Sequence, residues 1–200
     1  MHISEGVLSA PVLITGAVLA AGGVAIGLRR MDHDRIMTTA ILAAAFFVAS
    51  LVHVPLGPGS VHLLLLGLLG AFLGWGTFPA LLVGLALQAV LFQFGGLTVL
   101  GVNTFCMAAP AVASQAIFAR LLAADGRRRA LGAFGCGFVA VLLSALCMSA
   151  ALTFTDEGFL SAAELLVAAH VPIMVIEGFI TMFAVTFVAR VRPELLQQHA

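Results

Sequence analysis

The residues best equipped for chemistry are the first six, Met1-His2-Ile3-Ser4-Glu5-Gly6. A histidine in second position sits one peptide bond from the α-amino group. The amine nitrogen, the amide nitrogen of His2 and imidazole Nδ1 can therefore close two fused chelate rings on one metal ion. A compact, planar, nitrogen-rich donor set suits Ni(II), Cu(II) and related late first-row ions. The competing reading is a solvated start of chain. Chelation requires Met1 to be the mature N-terminus. No basic residue precedes the apolar stretch, and Glu5 stands where a signal peptide would carry Lys or Arg, so Met1 is expected to be retained.

Such a chelate leaves one corner of a square open. His62 is the candidate for it, because Pro55-Leu56-Gly57-Pro58-Gly59 is a turn sequence that presents His62 just beyond it, and neutral imidazole is the commonest protein metal ligand. His53 stands before the same turn and is read as a supporting group or alternative ligand, or else as packing. Glu5 can cap the first helix at its positive end or orient His2 through the other ring nitrogen. Asn103 is the uncharged polar residue placed nearest the site. His170 and Glu177 are seven apart, two helical turns, hence on one face. Ionisable residues within a span are costly, so they are either a polar clamp between helices or a proton relay.

Composition says what holds these groups. The chain has 200 residues, 62% hydrophobic and 9% charged, with net charge zero and mean hydropathy +1.17, against roughly a quarter charged in soluble domains. It is read as an all-α polytopic membrane protein with one integral-membrane domain over 1–200. Zero net charge and the lack of any lysine remove nucleic acid from the partners. Cys106, Cys136 and Cys147 lie in apolar runs without metal-like spacing and are read as packing residues. There is no HExxH, GxSxG or Walker A sequence, so no enzyme activity or cofactor is expected, and ATP hydrolysis, if it drives the process, belongs to another subunit.

Spans need about 20 apolar residues, and Gly, Pro and charge divide the chain into seven, roughly 8–28, 36–54, 61–75, 78–93, 99–122, 130–154 and 164–189. All nine basic residues are arginines, in clusters after the first span, between the fifth and sixth, and after the last. Seven crossings put every cluster on one side, which the bias of basic residues makes cytoplasmic. The N-terminus is then outside and the C-terminus inside, in the cell's inner (plasma) membrane. His2, His53, His62, His170 and Asn103 gather at or near the outer face. Ala40, Ala44, Ala45 and Ala49, and Gly70 with Gly74, recur at four-residue spacing, a pattern that lets membrane helices approach closely, either within the chain or on a partner.

The opening hexapeptide, the turn ending at His62, the run Phe94-Gly95-Gly96-Leu97-Thr98-Val99-Leu100-Gly101-Val102-Asn103 and the stretch from His170 to Glu177-Gly178 together resemble the CbiM/NikM family over nearly the whole chain. These are substrate-binding membrane subunits of cobalt and nickel energy-coupling factor (ECF) transporters. The resemblance implies seven helices, with the extra one N-terminal. It implies a metal site of the Met1 amine, the His2 amide and imidazole nitrogens, and His62, covered by outward loops that 94–103 shapes. It also implies a transmembrane coupling subunit, cytoplasmic ABC-type ATPases and a small accessory membrane subunit as partners, with the Ala40, Ala44 and Ala49 positions as docking candidates. Ser4 and the Val61-His62-Leu63 run depart from common family patterns and leave cobalt against nickel open. The alternatives are a proton-coupled secondary metal transporter using His170 and Glu177, and an intramembrane metalloenzyme, which would need an open coordination position and a general base.

Overall fold

The computed structural model describes the backbone of residues 2–51, 53–56 and 59–193, and within these the side chains of all but 53–56 and 59–61. Met1 and 194–200 lie outside it. The elements in order are α1 (Ala10–Arg29), α2 (His33–Leu51), a two-stranded antiparallel hairpin of β1 (His53–Leu56) and β2 (Gly59–His62), α3 (Leu66–Leu73), α4 (Thr77–Phe92), α5 (Leu100–Leu122), α6 (Gly126–Thr155) and α7 (Leu160–Val191). Single 3₁₀ turns at Gly74–Gly76 and Glu157–Phe159 join α3 to α4 and α6 to α7.

Two expectations need correction here. The second span was expected to continue to residue 54, with His53 as its last outer turn; α2 stops at Leu51 and His53 opens β1, paired with His62 across the hairpin. The proline at 55 explains this, because it disfavours helix in the residue before it and supplies no N–H of its own. The third span was expected to begin at 61, but 59–62 is strand and 63–65 irregular, so α3 has only eight residues.

Among the described residues, six segments are long and apolar enough to cross a membrane, Leu66–Phe92 counting as one of them. That segment folds back on itself. His62, just before it, meets His2, which precedes α1. The Gly74–Gly76 turn lies against the far end of α1, with the Trp75 carbonyl 2.5 Å from where a Cβ on Gly27 would sit. By Gln88 the chain has returned, since the Gln88 amide donates to Ser50 Oγ, one residue before α2 ends, at 2.6 Å. A short α3 suffices because the extended 62–65 stretch adds about 3.3 Å per residue, against about 1.5 Å in helix. Gly74, at φ 51° and ψ −121°, makes the reversal in a conformation that side chains disfavour.

The exterior is apolar on all the long helices, with Ile14, Val18, Val90, Ile117, Leu131 and Phe183 exposed, as lipid contact requires. Inside, close backbone approach replaces large side chains. A Cβ on Gly67 would strike Gly137 Cα, and one on Gly137 would lie 2.5 Å from the Glu177 carbonyl and 2.7 Å from Thr181 Oγ1. Small residues thus bring α3, α6 and α7 into van der Waals contact. Gly137→Val is expected to destabilise the bundle by about 1–3 kcal/mol, the usual scale of overpacking. Gly22→Ala, where nothing lies within 4 Å of the new methyl, should leave it as stable or slightly more so, by the better helix propensity of alanine. Thermal unfolding of the two purified variants in detergent makes the comparison.

Candidate metal-capture site

The start of the chain folds inward over the mouth of the bundle and is sewn down by one side chain. Asn103, in the first turn of α5 and 2% exposed, accepts from the Ile3 amide through Oδ1 and donates to the Ile3 carbonyl through Nδ2, both at 3.1 Å. One carboxamide thus satisfies both main-chain polar groups of a residue that would otherwise be buried bare. The Ile3 side chain beneath is 4% exposed. Glu5 is fixed next, its amide donating to Gly95 O at 3.2 Å and its Oε1 accepting from the Thr98 amide at 3.1 Å. The Ser9 amide reaches Thr155 Oγ1, at the end of α6, at 3.3 Å.

The 93–98 loop is shaped for this. Gly95 and Gly96 take φ of 76° and 140°, a region that favours glycine. A Cβ on Gly96 would coincide with the Glu5 carboxyl group, and one on Gly95 would sit 3.1 Å from Asn103 Nδ2. The loop and the N-terminal segment therefore fit each other only because these two side chains are missing.

The docked segment places His2 against His62. His2 Nδ1 and His62 Nε2 are 3.2 Å apart, the rings stacked with centroids 4.9 Å apart and planes 24° from parallel. His62 is 6% exposed, and its Nδ1 lies 2.9 Å from the carbonyl of Leu63. A carbonyl only accepts, so Nδ1 carries the proton and Nε2 presents its lone pair toward His2. Burial, chiefly, and the neighbouring His62 hold the His2 pKa well below its ordinary 6.5, with Gln88 opposing part of the shift. His2 is therefore a neutral donor at neutral pH. Two imidazole nitrogens facing each other this closely need a proton or a cation between them.

The segment bearing His62 is anchored from α7. Glu177, fully buried, accepts from the amides of Leu64 and Leu65 on one oxygen, Oε1, at 2.6 and 2.8 Å. Leu65 has φ 51° and is the cap residue of α3, a left-handed conformation that costs an L-residue about 1–2 kcal/mol. Two hydrogen bonds at roughly 0.5–1.5 kcal/mol each are enough to offset it. Glu177 thus holds, from another helix, the two residues that lead into α3 and fixes the stretch whose Leu63 carbonyl orients His62.

Of the residues expected at the site, the structure brings together His2, His62, Asn103 and Glu5, but Glu5 ties down the loop and neither orients His2 nor caps α1, whose cap Ser9 makes no side-chain bond. Met1 lies outside the described residues. His53 has its backbone opposite that of His62, and its side chain is not described. His170 is 5% exposed, with Nδ1 2.7 Å from the Leu166 carbonyl and Nε2 buried without a hydrogen-bond partner among the described residues. The Ser50–Gln88 bond and the Glu177 clamp on Leu64 and Leu65 link residues that no spacing relates. Among the described residues no three His, Cys, Asp or Glu side chains converge as a metal site, so a metal here would need main-chain nitrogen as well.

Residues 2–195 match the family model described as the cobalt uptake substrate-specific transmembrane region, CbiM. The chain belongs to the CbiM family. A metal transport protein described as putative from Haemophilus influenzae is 42% identical over 99% of this chain and 98% of its own length. The cobalt transport protein CbiM of Kyrpidia tusciae is 32% identical over 99% of this chain and 87% of its own. A crystal structure of a transition metal transporter superposes with a TM-score of 0.81 at 25% identity, covering 96% of this chain and 93% of that one. The CbiM-family chain is thus a multi-pass membrane protein of a family whose members are substrate-specific transmembrane components of cobalt uptake.

Two expectations follow from the geometry. Replacing Glu177 by Leu removes the acceptor of two buried amides, each worth about 1–3 kcal/mol when left unsatisfied. It should lower the thermal midpoint and disturb His62, whereas Glu177→Gln, which keeps the acceptor oxygen, should lie close to wild type. Because the His2 pKa is depressed on folding, the unfolded or undocked segment binds more protons. Docking is then at full strength above about pH 6.5, the ordinary imidazole value, and weakens as pH falls below it. Amide hydrogen exchange at Ile3 and Glu5 across this range reads the effect.

Proposed function

We propose that this CbiM-family chain captures Co²⁺ or Ni²⁺ as transported substrate at its N-terminal end, through the Met1 amine, the His2 amide nitrogen, His2 Nδ1 and His62 Nε2. The observation that carries the reading is the 3.2 Å separation of the last two atoms. With metal–nitrogen bonds of about 2.0 Å, donors on adjacent corners of a square lie about 2.8 Å apart and opposite ones about 4 Å. In a chelate of the first two residues, amine and Nδ1 are opposite, so the fourth donor must be adjacent to Nδ1. His62 Nε2 has that relation and needs to move only a few tenths of an ångström. The outward-directed lone pair of His62 and the neutral state of His2 favour a dication, which would take the place of the proton between the two rings. Asn103 and Glu5 act as positioning residues, His53 and His170 as neighbours of the site, and the whole chain as one membrane domain.

The fold-back of Leu66–Phe92 supports seven crossings. The arginines all fall at helix ends remote from His2, which supports an outer N-terminus and a cytoplasmic C-terminus. Inward movement of the metal then requires an energy source. We infer an ECF-type arrangement with a transmembrane coupling subunit, cytoplasmic ATPases and a small accessory membrane subunit. Ala40 and Ala44, both exposed on α2, offer a face that a partner helix can approach closely. Proton-coupled transport through His170 and Glu177 receives less support, because the Glu177 carboxyl group already holds α3.

An uncleaved N-terminal extension removes the free amine and touches no helix, so it should abolish tight metal binding while the thermal midpoint of the apoprotein stays put. His62→Ala should weaken binding by at least tenfold. The nickel form should show the absorption of a planar four-nitrogen site. Normal affinity in the extended protein rules out the ligand set, and uptake that survives loss of the ATPases rules out the ECF arrangement.

A further inference from the structure

Neither the capture site nor the glycine packing accounts for one contact inside the bundle. Cys106 on α5 and Cys147 on α6 are 41 residues apart in sequence, and their Sγ atoms lie 3.0 Å apart with both thiols free. That is closer than the roughly 3.5–4.0 Å of ordinary heavy-atom contact and within about 1 Å of a sulfur–sulfur bond. The two differ in access. Cys106 is 3% exposed, whereas Cys147 is half-buried at the edge of the core, beside the exposed Leu146. Cys136 supplies the contrast, fully buried and about three turns before Cys147 on α6, where its Sγ meets the Gly67 carbonyl at 3.7 Å.

The thiols sit between the two fastenings of the N-terminal segment. Asn103, which holds Ile3, is one turn from Cys106 on the same face of α5. Thr155, which holds the Ser9 amide, follows Cys147 on α6 by about two turns, roughly 12 Å. The segment is therefore fastened at Ile3 to one helix and at Ser9 to the other. Sliding or separation of α5 and α6 changes the span between these anchors, and one of the hydrogen bonds must give. A covalent link between the two helices, close to Asn103, opposes that movement.

We propose that Cys106 and Cys147 are a redox-modification site, closed to a disulfide by hydrogen peroxide, and that the disulfide holds the N-terminal segment in its docked position. The oxidant must be small and uncharged, because Cys147 lies within a membrane-spanning helix. The Cys147 sulfur attacks one peroxide oxygen and the O–O bond breaks; the departing hydroxide takes the thiol proton and leaves as water, and Cys147 becomes a sulfenic acid. The Cys106 sulfur then attacks the Cys147 sulfur. The S–S bond forms, the S–O bond breaks, and the hydroxyl group leaves with the Cys106 proton as a second water. The two thiols together lose two electrons, and the peroxide is reduced to water. Neither sulfur belongs to the metal ligand set, so the proposal stands apart from it.

The full-length chain, purified in detergent under reducing conditions, freed of reductant and treated with hydrogen peroxide, tests this by peptide mass mapping after alkylation of the remaining thiols. A linked pair of peptides carrying Cys106 and Cys147, about 2 Da lighter than the two thiol peptides together, should appear. Cys136 should be alkylated as before, and a dithiol reductant should reverse the change. Cys106→Ser should stop the reaction at the Cys147 sulfenic acid, which dimedone traps, and Cys147→Ser should leave Cys106 a thiol. Hydrogen exchange at the Ile3 and Ser9 amides should slow by about threefold or more in the oxidised wild type. In Cys106→Ser the same peroxide treatment should leave it unchanged, which separates the disulfide from methionine oxidation. A wild type whose Cys106 and Cys147 stay alkylatable overturns the proposal, as does oxidation of Cys147 alone to the sulfinic acid. A disulfide that leaves exchange at Ile3 and Ser9 unchanged, or speeds it, overturns the hold on the segment and the proposal with it.

Discussion

A main-chain segment cannot lie on an apolar bundle unless its amides and carbonyls find partners, and at the start of this chain that requirement falls on Asn103. Its two 3.1 Å bonds to Ile3 convert residues 2–5 from a solvated tail into part of the folded domain. His2 acquires its position from this docking, to which its own contacts with His62 and Gln88 add. The stacking on His62, the burial that keeps His2 neutral and the fit of the glycine loop all presuppose that Ile3 is docked. An amide side chain suits the task better than a carboxylate, because it offers one acceptor and one donor to a residue whose main chain presents one of each.

A similar economy holds at His62. Its ring is oriented by the carbonyl of the next residue, and the segment carrying that carbonyl is held by a carboxyl group from α7, 112 and 113 residues distant in sequence from the two amides it accepts. The two halves of the capture site are thus fastened to different helices, His2 through α5 and His62 through α7. Their 3.2 Å approach depends on how α3 packs with α5, α6 and α7, and that packing runs through glycine contacts such as Gly67 with Gly137 and Gly70 with Ala111. Rigid small-residue packing fits a site whose donor separation must match a square within tenths of an ångström.

Much of this was legible in the sequence, for physical reasons. Apolar length marks the spans, the arginine clusters separate the two ends, and a histidine beside a terminal amine is unusual enough to suggest a chelate. The Gly-Pro turn announced a reversal before His62, but not that it would be a strand pair reaching back to residue 53, because alternation over four residues is too short to distinguish from a helix end. Glu5 illustrates a different limit. Its charge and place suited a helix cap, yet the partner it takes, the Thr98 amide, is a main-chain group that every residue possesses, so no side-chain pattern points to it. The same is true of Glu177, whose two partners are leucine amides.

Those main-chain partners bear on how the site can open. In the proposed site a dication held by a deprotonated amide and three other nitrogens would leave slowly unless its ligands are pulled apart, and His2 and His62 belong to different anchors. Separating α5 from α7 by a fraction of an ångström would lengthen the donor distance without unfolding either segment, since Asn103 and Glu177 each keep their own bonds. Lateral strain applied to the helices, as by a partner docking on the lipid-facing side, can therefore weaken the metal without reaching it directly. Interaction through the exposed small-residue face of α2 would act by way of α4, against which α2 packs and on which Gln88 bonds Ser50 close to the histidine pair. The division into a docked N-terminal segment and a clamped 64–65 stretch would then let the proposed site both hold a metal and release it.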